Sequence, residues 1–307
     1  MAVIGLPRLG IYSKTIKDFF EGLGCEVVQP SKVSQEIINP GVMNSAEMIC
    51  WPFKTTLGQE IWALEHGATD LVMFSTHGRC RFKHYHQLQE QTLRSLGYEF
   101  KMHTLSTRNF ILELMELTGA SPFRLVKAML GALSQIREVE RRAYQHNSNN
   151  SLRIGIVGEV YTIWETDINF DLVRKLQRMG VDVDVSLTLY HFIKKALKLD
   201  FFEKRDEKRE AKQLLSEELG GHGFDSIYNT IFYGRQRFDG VIHLLPLSCM
   251  PESTVESLIN NVAEKYGVPL YRFALDESNF EQGFVTRLST FVSMLKRKKK
   301  SVVLSGN

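Results

Sequence analysis

The stretch Asp70-Leu-Val-Met-Phe74 decides the fold class of this chain. Its apolar run is of the kind that is buried on both faces of a parallel sheet. The segment before it, over about Phe53–His66, repeats apolar side chains at helical spacing. A second helix, ending near Leu96, is predicted after Cys80. Helix, strand and helix in this order predict an α/β unit with a parallel sheet and right-handed crossovers.

The same alternation of strands and helices extends toward both ends of the chain. Short apolar runs predict the strands, and longer segments with apolar residues at helical spacing predict the helices. The other strands are predicted at Ala2–Leu6, Cys25–Gln29, Tyr98–Thr104, Arg153–Val157, Val181–Leu187, Gly240–Pro246 and Pro269–Ala274. The other helices are predicted over about Thr15–Leu23, Asn169–Met179, His191–Leu219, Asp225–Phe232, Glu252–Tyr266 and Phe284–Leu295.

A helical segment and a polar stretch separate the two alternating regions. Residues 107–146 carry apolar side chains at helical spacing and end in His146-Asn-Ser-Asn-Asn-Ser151, which is typical of a domain boundary. The sequence therefore predicts an α/β protein of two Rossmann-like domains with parallel sheets, joined by a helical segment. The predicted bounds are 1–106 for the N-terminal domain, 107–150 for the helical connector and 151–307 for the C-terminal domain.

Composition and charge exclude several classes of protein. The 307 residues carry a net charge of only +3, which argues against nucleic acid as a partner. Apolar runs of about 18 residues, the length of a membrane span, are absent from the sequence. The N-terminus lacks the pattern of a signal peptide, so we expect a cytoplasmic protein. Four cysteines are too few for a disulfide scaffold, and in a reducing compartment they are free, catalytic or metal-bound.

Three of the four cysteines each precede a predicted helix, in Cys50-Trp-Pro-Phe-Lys54, Cys80-Arg-Phe-Lys83 and Cys249-Met-Pro-Glu252. The start of a helix presents unpaired N–H groups and the positive end of the helix dipole, and this setting favours a thiolate. Cys80 and Cys249 also follow predicted strands, one in each domain, where parallel sheets place their working groups. We therefore expect a shared site in the cleft between the domains, in which three thiolates hold an iron–sulfur cluster with one open iron. Cys25 is interpreted as a small buried hydrophobic residue.

The spacing of these cysteines leaves other interpretations open. Intervals of 30 and 169 residues match neither a ferredoxin nor a zinc ribbon. Cys80 lies near His77, His84 and His86, and thiolate with imidazole also suits zinc; the alternative is that His84 and His86 are surface residues. The turn Gly220-Gly-His-Gly223 has two interpretations. It either presents an imidazole and backbone amides to a ligand or is a simple linker.

Seven motifs in the same order resemble the 2-hydroxyacyl-CoA dehydratase D-component family, and within it the activase-related and double-cubane-cluster branch. They span nearly the whole chain, and together they are far more specific than any one cysteine. The motifs are Gly5-Leu-Pro-Arg8, Cys50-Trp-Pro-Phe-Lys54, Gly78-Arg-Cys-Arg-Phe-Lys-His-Tyr85, Gly158-Glu-Val-Tyr161, Gly220-Gly-His-Gly223, His243-Leu-Leu-Pro-Leu-Ser-Cys-Met-Pro-Glu252, and Asp276-Glu277 with Thr286-Arg287.

The resemblance implies an oxygen-sensitive cluster, a [4Fe-4S] cluster or half of a double cubane, with Cys50, Cys80 and Cys249 as ligands and Cys25 left out. It implies an ATP-dependent activase as partner, an actin-fold ATPase with its own cluster that delivers one low-potential electron. The electron would serve dehydration of a 2-hydroxyacyl-CoA or reduction of a small molecule. A homodimer or heterodimer is implied as well. Basic residues that would bind the phosphates of an acyl-CoA are Arg8, Lys54, Arg81, Lys83 and Arg287.

Two departures from the family keep the activity open. The chain is short for a dehydratase subunit, and its Cys80 motif is closer to the activase-related branch. The leading hypothesis is an enzyme or electron-transfer component that works anaerobically. The alternatives are a metal-binding scaffold that docks the activase without turnover, and a zinc protein that uses Cys80 and His84.

Overall fold

The computed structural model describes residues 3–75, 80–106, 109–145, 152–197, 199–200, 202–215 and 219–305, with side chains up to 301. The chain divides into two compact units, Met1–Arg141 and Arg142–Asn307. Each unit contains one four-stranded sheet in which every pairing is parallel. The predicted fold class, an α/β protein with two Rossmann-like domains, is thereby confirmed.

The first unit places its sheet between two layers of helices. The strands are β1 (Val3–Gly5), β2 (Glu26–Val28), β3 (Asp70–Ser75) and β4 (Lys101–Ser106), in the spatial order β2-β1-β3-β4. The helices are α1 (Ser13–Gly22), α2 (Gln35–Met43), α3 (Trp51–Glu65), α4 (Tyr85–Ser95), α5 (Phe110–Thr118) and α6 (Pro122–Ala143). Most of them follow or precede a strand directly, as crossovers between parallel strands require.

Strand β3 is the centre of the first unit, as its apolar run predicts. Leu71 and Val72 are fully buried, and they point to opposite faces of the sheet because strand side chains alternate. Val72 belongs to a core cluster with Leu114 and Leu125 of α5 and α6. Leu71 belongs to a second cluster, with Leu57 of α3 on the other face. The two helices within the stretch predicted as helical, α5 and α6, thus pack into the core of the first unit.

A break divides that helical stretch into α5 and α6. Gly119 ends α5 in the left-handed region with φ of 63°, a conformation that glycine adopts without a steric penalty. Pro122 then begins α6, where its fixed φ suits the first turn of a helix. Glycine and proline therefore explain why the helix is interrupted here.

The second unit repeats the order of the first. Its strands are β5 (Leu152–Gly158), β6 (Val181–Val185), β7 (Gly240–Pro246) and β8 (Leu270–Leu275), in the order β6-β5-β7-β8. Every residue of β7 is buried, as expected for a central parallel strand. The helices are α7 (Val160–Trp164), α8 (Leu172–Arg178), α9 (Leu189–Ala196), α10 (Arg205–Leu214), α11 (Gly223–Arg235), α12 (Met250–Lys265) and α13 (Glu281–Ser305). Within the ranges given above, no helix is both long and apolar enough to cross a bilayer.

The long helix predicted over His191–Leu219 is instead the pair α9 and α10. Lys204 precedes α10 with a φ of 50°, in the left-handed region, so the backbone turns there and a continuous helix cannot form. Its ammonium group lies 2.5 Å from Asn229 Oδ1 and 4.2 Å from the ring centroid of Phe232. These contacts with α11 hold the turn in place.

Helices α2 and α3 cross at close range through two glycines. A Cβ atom added to Gly41 would overlap the carbonyl oxygen of Lys54 and lie 2.5 Å from the backbone nitrogen of Gly58. A Cβ atom on Gly58 would overlap the carbonyl oxygen of Ile37 in the same way. Because Lys54 lies in the first turn of α3, this crossing positions the start of α3, where Cys50 stands.

We expect Gly41→Ala to lower the free energy of unfolding by about 1–3 kcal/mol, because the added methyl group overpacks the crossing. Gly131→Ala is the matched control, since Gly131 lies in α6 and a Cβ atom there meets nothing within 4 Å. That change should raise the free energy of unfolding by about 1 kcal/mol through helix propensity alone. Urea denaturation of both variants measures the two effects, and a stabilised Gly41→Ala variant would contradict the close crossing.

Candidate metal centre

Each sheet has a topological switch point, and in each unit a candidate cysteine follows one of the strands beside that point. In each sheet the second strand lies on one side of the first strand and the third strand lies on the other. Parallel α/β sheets bind their ligands at the carboxyl edge of such a switch point. Cys80 comes five residues after the end of β3, and Cys249 comes three residues after the end of β7. The two cysteines therefore follow corresponding strands of the two units.

All three predicted ligands occupy the N-cap position of a helical segment. Cys50 precedes α3, Cys249 precedes α12, and Cys80 precedes a 3₁₀ turn over Arg81–His84 that continues into α4. Their backbones are extended, with φ between −64° and −71°, as N-cap residues require. The prediction that a helix follows each cysteine is confirmed.

Cys50 and the segment after Cys80 meet within the first unit. Helix α3 leads into β3 by a crossover, so it runs antiparallel to the strands and begins at their carboxyl edge. There the Cys50 Sγ atom contacts the hydroxyl of Tyr85, the first residue of α4. The Tyr85 ring packs edge-on against Phe53 and Phe82, with centroid distances of 4.9 Å and 5.3 Å. This aromatic packing joins the segments that carry Cys50 and Cys80.

An open hollow of about 580 Å³ lies beside these two segments. Its surface is mostly apolar, with Arg81 and His84 as basic groups along it. An apolar hollow with a few polar groups is typical of a small-molecule site. Its lining residues are Ala46, Met48, Ile49, Arg81, His84, Tyr85, Gln87, Leu88 and Gln91.

Cys25 has a different environment from the other three cysteines. Its side chain is 8% exposed and belongs to the core cluster with Ile4 and Phe20. Burial, and to a lesser degree the charge of Asp70, raises the pKa of the Cys25 thiol, although Arg124 opposes this. A protonated thiol in an apolar core is a packing residue rather than a metal ligand, in agreement with the interpretation of Cys25 as structural.

In the second unit, the first turn of the helix behind Cys249 is held by buried polar contacts. Glu252 Oε2 accepts a hydrogen bond of 2.9 Å from Ser226 Oγ of α11 and lies 2.8 Å from His243 Nε2 of β7. All three side chains are buried. Glu252 Oε1 is also buried and makes no hydrogen bond to any residue that the structure describes. These contacts fix the start of α12, and therefore Cys249, against the sheet.

The structure adds His222 to the candidate site residues. It is the N-cap residue of α11, the helix that leads into β7, so it corresponds topologically to Cys50 ahead of α3 and β3. His222 Nδ1 lies 3.3 Å from Asp225 Oδ2. Burial opposes ionisation of Asp225, but the nearby Lys195 ammonium and His222 hold the pKa of that carboxyl well below its usual range. The ionised Asp225 orients the imidazole, and the only sign in the sequence was the Gly220-Gly-His-Gly223 turn.

Two of the three histidines of the zinc hypothesis, His84 and His86, lie within the described residues. His84 is exposed, and its Nδ1 lies 3.1 Å from Gln87 Oε1. His86 is half-buried, and burial lowers the pKa of its imidazole, with a smaller contribution from His84. His77 lies outside the described residues. Among the residues that are described, no group of three or more His, Cys, Asp or Glu side chains is arranged to hold a metal ion.

The candidate phosphate-binding residues differ in how they are held. Arg8 Nη1 donates to the carbonyl oxygens of Pro30 and Ser31 at 3.3 Å and 2.5 Å, which ties the segment after β1 to the segment after β2. Arg287 donates to the Gly283 carbonyl within α13 and lies over the ring of Phe273. Lys54 is buried, Lys83 is half-buried, and Arg81 is exposed along the hollow. Of these five, Arg81 is the best placed to meet a ligand.

Comparison with protein-family models finds no match for this chain. A comparison with curated proteins likewise finds none. The fold defines a protein of two α/β units with all-parallel sheets, and the resemblance to the dehydratase family depends on the sequence motifs alone.

Proposed function

We propose that this chain is an iron–sulfur protein of the 2-hydroxyacyl-CoA dehydratase type. It binds a [4Fe-4S] cluster, or half of a double cubane, through Cys50, Cys80 and Cys249. The observation that supports this best is the shared N-cap position of the three cysteines, two of which follow corresponding strands. The donor set fits the cluster, because thiolates are its usual ligands and the N–H groups of a helix start stabilise negative charge.

The residues around the cysteines determine how a ligand is received. Three cysteines would leave one iron of a four-iron cluster without a protein ligand, and that iron would supply Lewis-acid chemistry. The apolar hollow beside Cys50 and Cys80 accepts the hydrocarbon part of an acyl-CoA or of another small reducible molecule. Arg81 supplies a positive charge for an anionic group of that molecule.

The electron source that we propose is an ATP-dependent activase. The motifs shared with the activase-related branch support this partner. We also propose that the protein works in the cytoplasm under anaerobic conditions, where thiols remain reduced, and that it forms a homodimer or heterodimer as its apparent relatives do. Because the net charge is only +3, we propose no nucleic-acid partner.

Anaerobic purification followed by reduction with a family activase tests this function. We expect a brown protein whose cluster gives an EPR signal when activase and ATP are both present. The reduced activase has an EPR signal of its own, so the expected result is an additional signal, which a non-hydrolysable ATP analogue should not produce. A signal that shifts on addition of an acyl-CoA or a small reducible molecule supports an enzyme, whereas a cluster that responds to no candidate supports the scaffold. Colourless protein with stoichiometric zinc would favour the zinc hypothesis.

A further inference from the structure

We infer that Tyr85 tunes the reduction potential of the cluster by donating a hydrogen bond to the sulfur of Cys50. This inference rests on the proposed function, because Cys50 must carry iron for the hydrogen bond to act on a cluster. Tyr85 is thus a positioning residue that acts through Cys50, the proposed iron ligand, and does not touch the substrate.

The position of the Tyr85 hydroxyl is fixed by its surroundings. The side chain is 3% exposed, and its ring is held edge-on between Phe53 and Phe82. The hydroxyl contacts the Sγ atom of Cys50, 35 residues earlier in the chain. A thiolate bound to iron has no proton to donate, so in that state the tyrosine O–H is the donor and the sulfur accepts.

The direction of the effect follows from charge. Reduction adds an electron to the cluster and makes its sulfur atoms more negative, so a hydrogen-bond donor stabilises the reduced state more than the oxidised state. Hydrogen bonds to the sulfur atoms are among the features that set the potential of iron–sulfur clusters. The Tyr85 hydroxyl therefore raises the potential, which makes it easier for a low-potential donor to reduce the cluster.

Tyr85→Phe tests this role because it removes the hydroxyl and keeps the aromatic packing. We expect unchanged iron and sulfide content and a more negative midpoint potential. The shift measures how much stronger the hydrogen bond is in the reduced state, and we expect at most about a tenfold lower ratio of reduced to oxidised protein at a fixed potential, or about 59 mV for one electron. Tyr12→Phe is the matched control, since the Tyr12 hydroxyl is also in the first unit but donates to Glu140 at 2.9 Å, and its potential should equal that of the wild type.

The outcomes separate this inference from the proposed function. A wild-type protein that binds no iron overturns both. A Tyr85→Phe variant that keeps its iron and has the wild-type potential overturns the tuning role alone. If the variant fails to fold or loses its iron, resonance Raman spectra of the wild type in H₂O and D₂O decide the question. The hydrogen bond predicts an iron–thiolate stretch that shifts on deuteration, and the absence of a shift would contradict it.

Discussion

Alanine at position 50, 80 or 249 is expected to abolish iron binding, whereas Cys25→Ala is expected to retain it. Cys50, Cys80 and Cys249 stand at helix starts that favour a thiolate, and each would supply one sulfur to the cluster. Cys25 lies in the apolar core of the first unit, where burial raises the pKa of its thiol. Iron and acid-labile sulfide, measured per chain after anaerobic reconstitution, give the result directly.

The controls for these variants must separate metal loss from misfolding. Cys50, Cys80 and Cys249 make no side-chain capping hydrogen bond, so alanine at these positions removes no helix cap. Far-ultraviolet circular dichroism should therefore show native secondary structure in all four variants. If Cys25→Ala lost its iron while Cys249→Ala kept a full complement, the ligand assignment would be wrong.

Glu60→Gln is expected to stabilise the protein increasingly as the pH rises. Glu60 lies on α3 with 2% of its surface exposed, and neither carboxyl oxygen hydrogen-bonds to a described residue. Burial raises the pKa of this carboxyl well above its usual range. The unfolded chain loses the proton at an ordinary pKa while the folded chain keeps it, so the contribution of Glu60 to stability is fully present below the unfolded pKa and declines above it.

Chemical denaturation at several pH values measures this effect. The decline amounts to about 1.4 kcal/mol per pH unit between the unfolded-state pKa and the folded-state pKa of Glu60. Glutamine does not titrate, so the variant should gain stability over the wild type at about that rate across the interval. Glu36→Gln, at an exposed position on α2, is the control and should show little change. A Glu60→Gln difference that is independent of pH would show that the carboxyl ionises freely.

The fold was predictable because its central strands carry a strong local signal. The apolar runs in Asp70–Phe74 and Gly240–Pro246 indicate burial on both faces without reference to any distant residue, and both segments are buried strands. Helix α2 could not be predicted in this way, since it contains Pro40 and depends on its crossing with α3. The turn at Lys204 also escaped prediction, because a continuous charge pattern does not reveal a left-handed backbone held by contacts with α11.

The candidate site shows the same division between local and distant signals. Turn residues and prolines near Cys50, Cys80 and Cys249 predict helix starts, and the structure confirms them. The contact between Tyr85 and Cys50 joins residues 35 positions apart, so no spacing rule indicates it. The correspondence of His222 with Cys50 needs the strand order of both sheets, which the sequence pattern does not specify.

Mössbauer spectroscopy of the wild-type protein, reconstituted anaerobically with ⁵⁷Fe, is the most direct test of the proposed cluster. It reports the oxidation state of each type of iron and the proportions of the types in one experiment. Three cysteine sulfurs on a four-iron cubane predict three irons of one type and a fourth that differs, because that iron has no thiolate ligand. Protein that takes up no sulfide-bound iron and instead binds one zinc ion per chain would contradict the account.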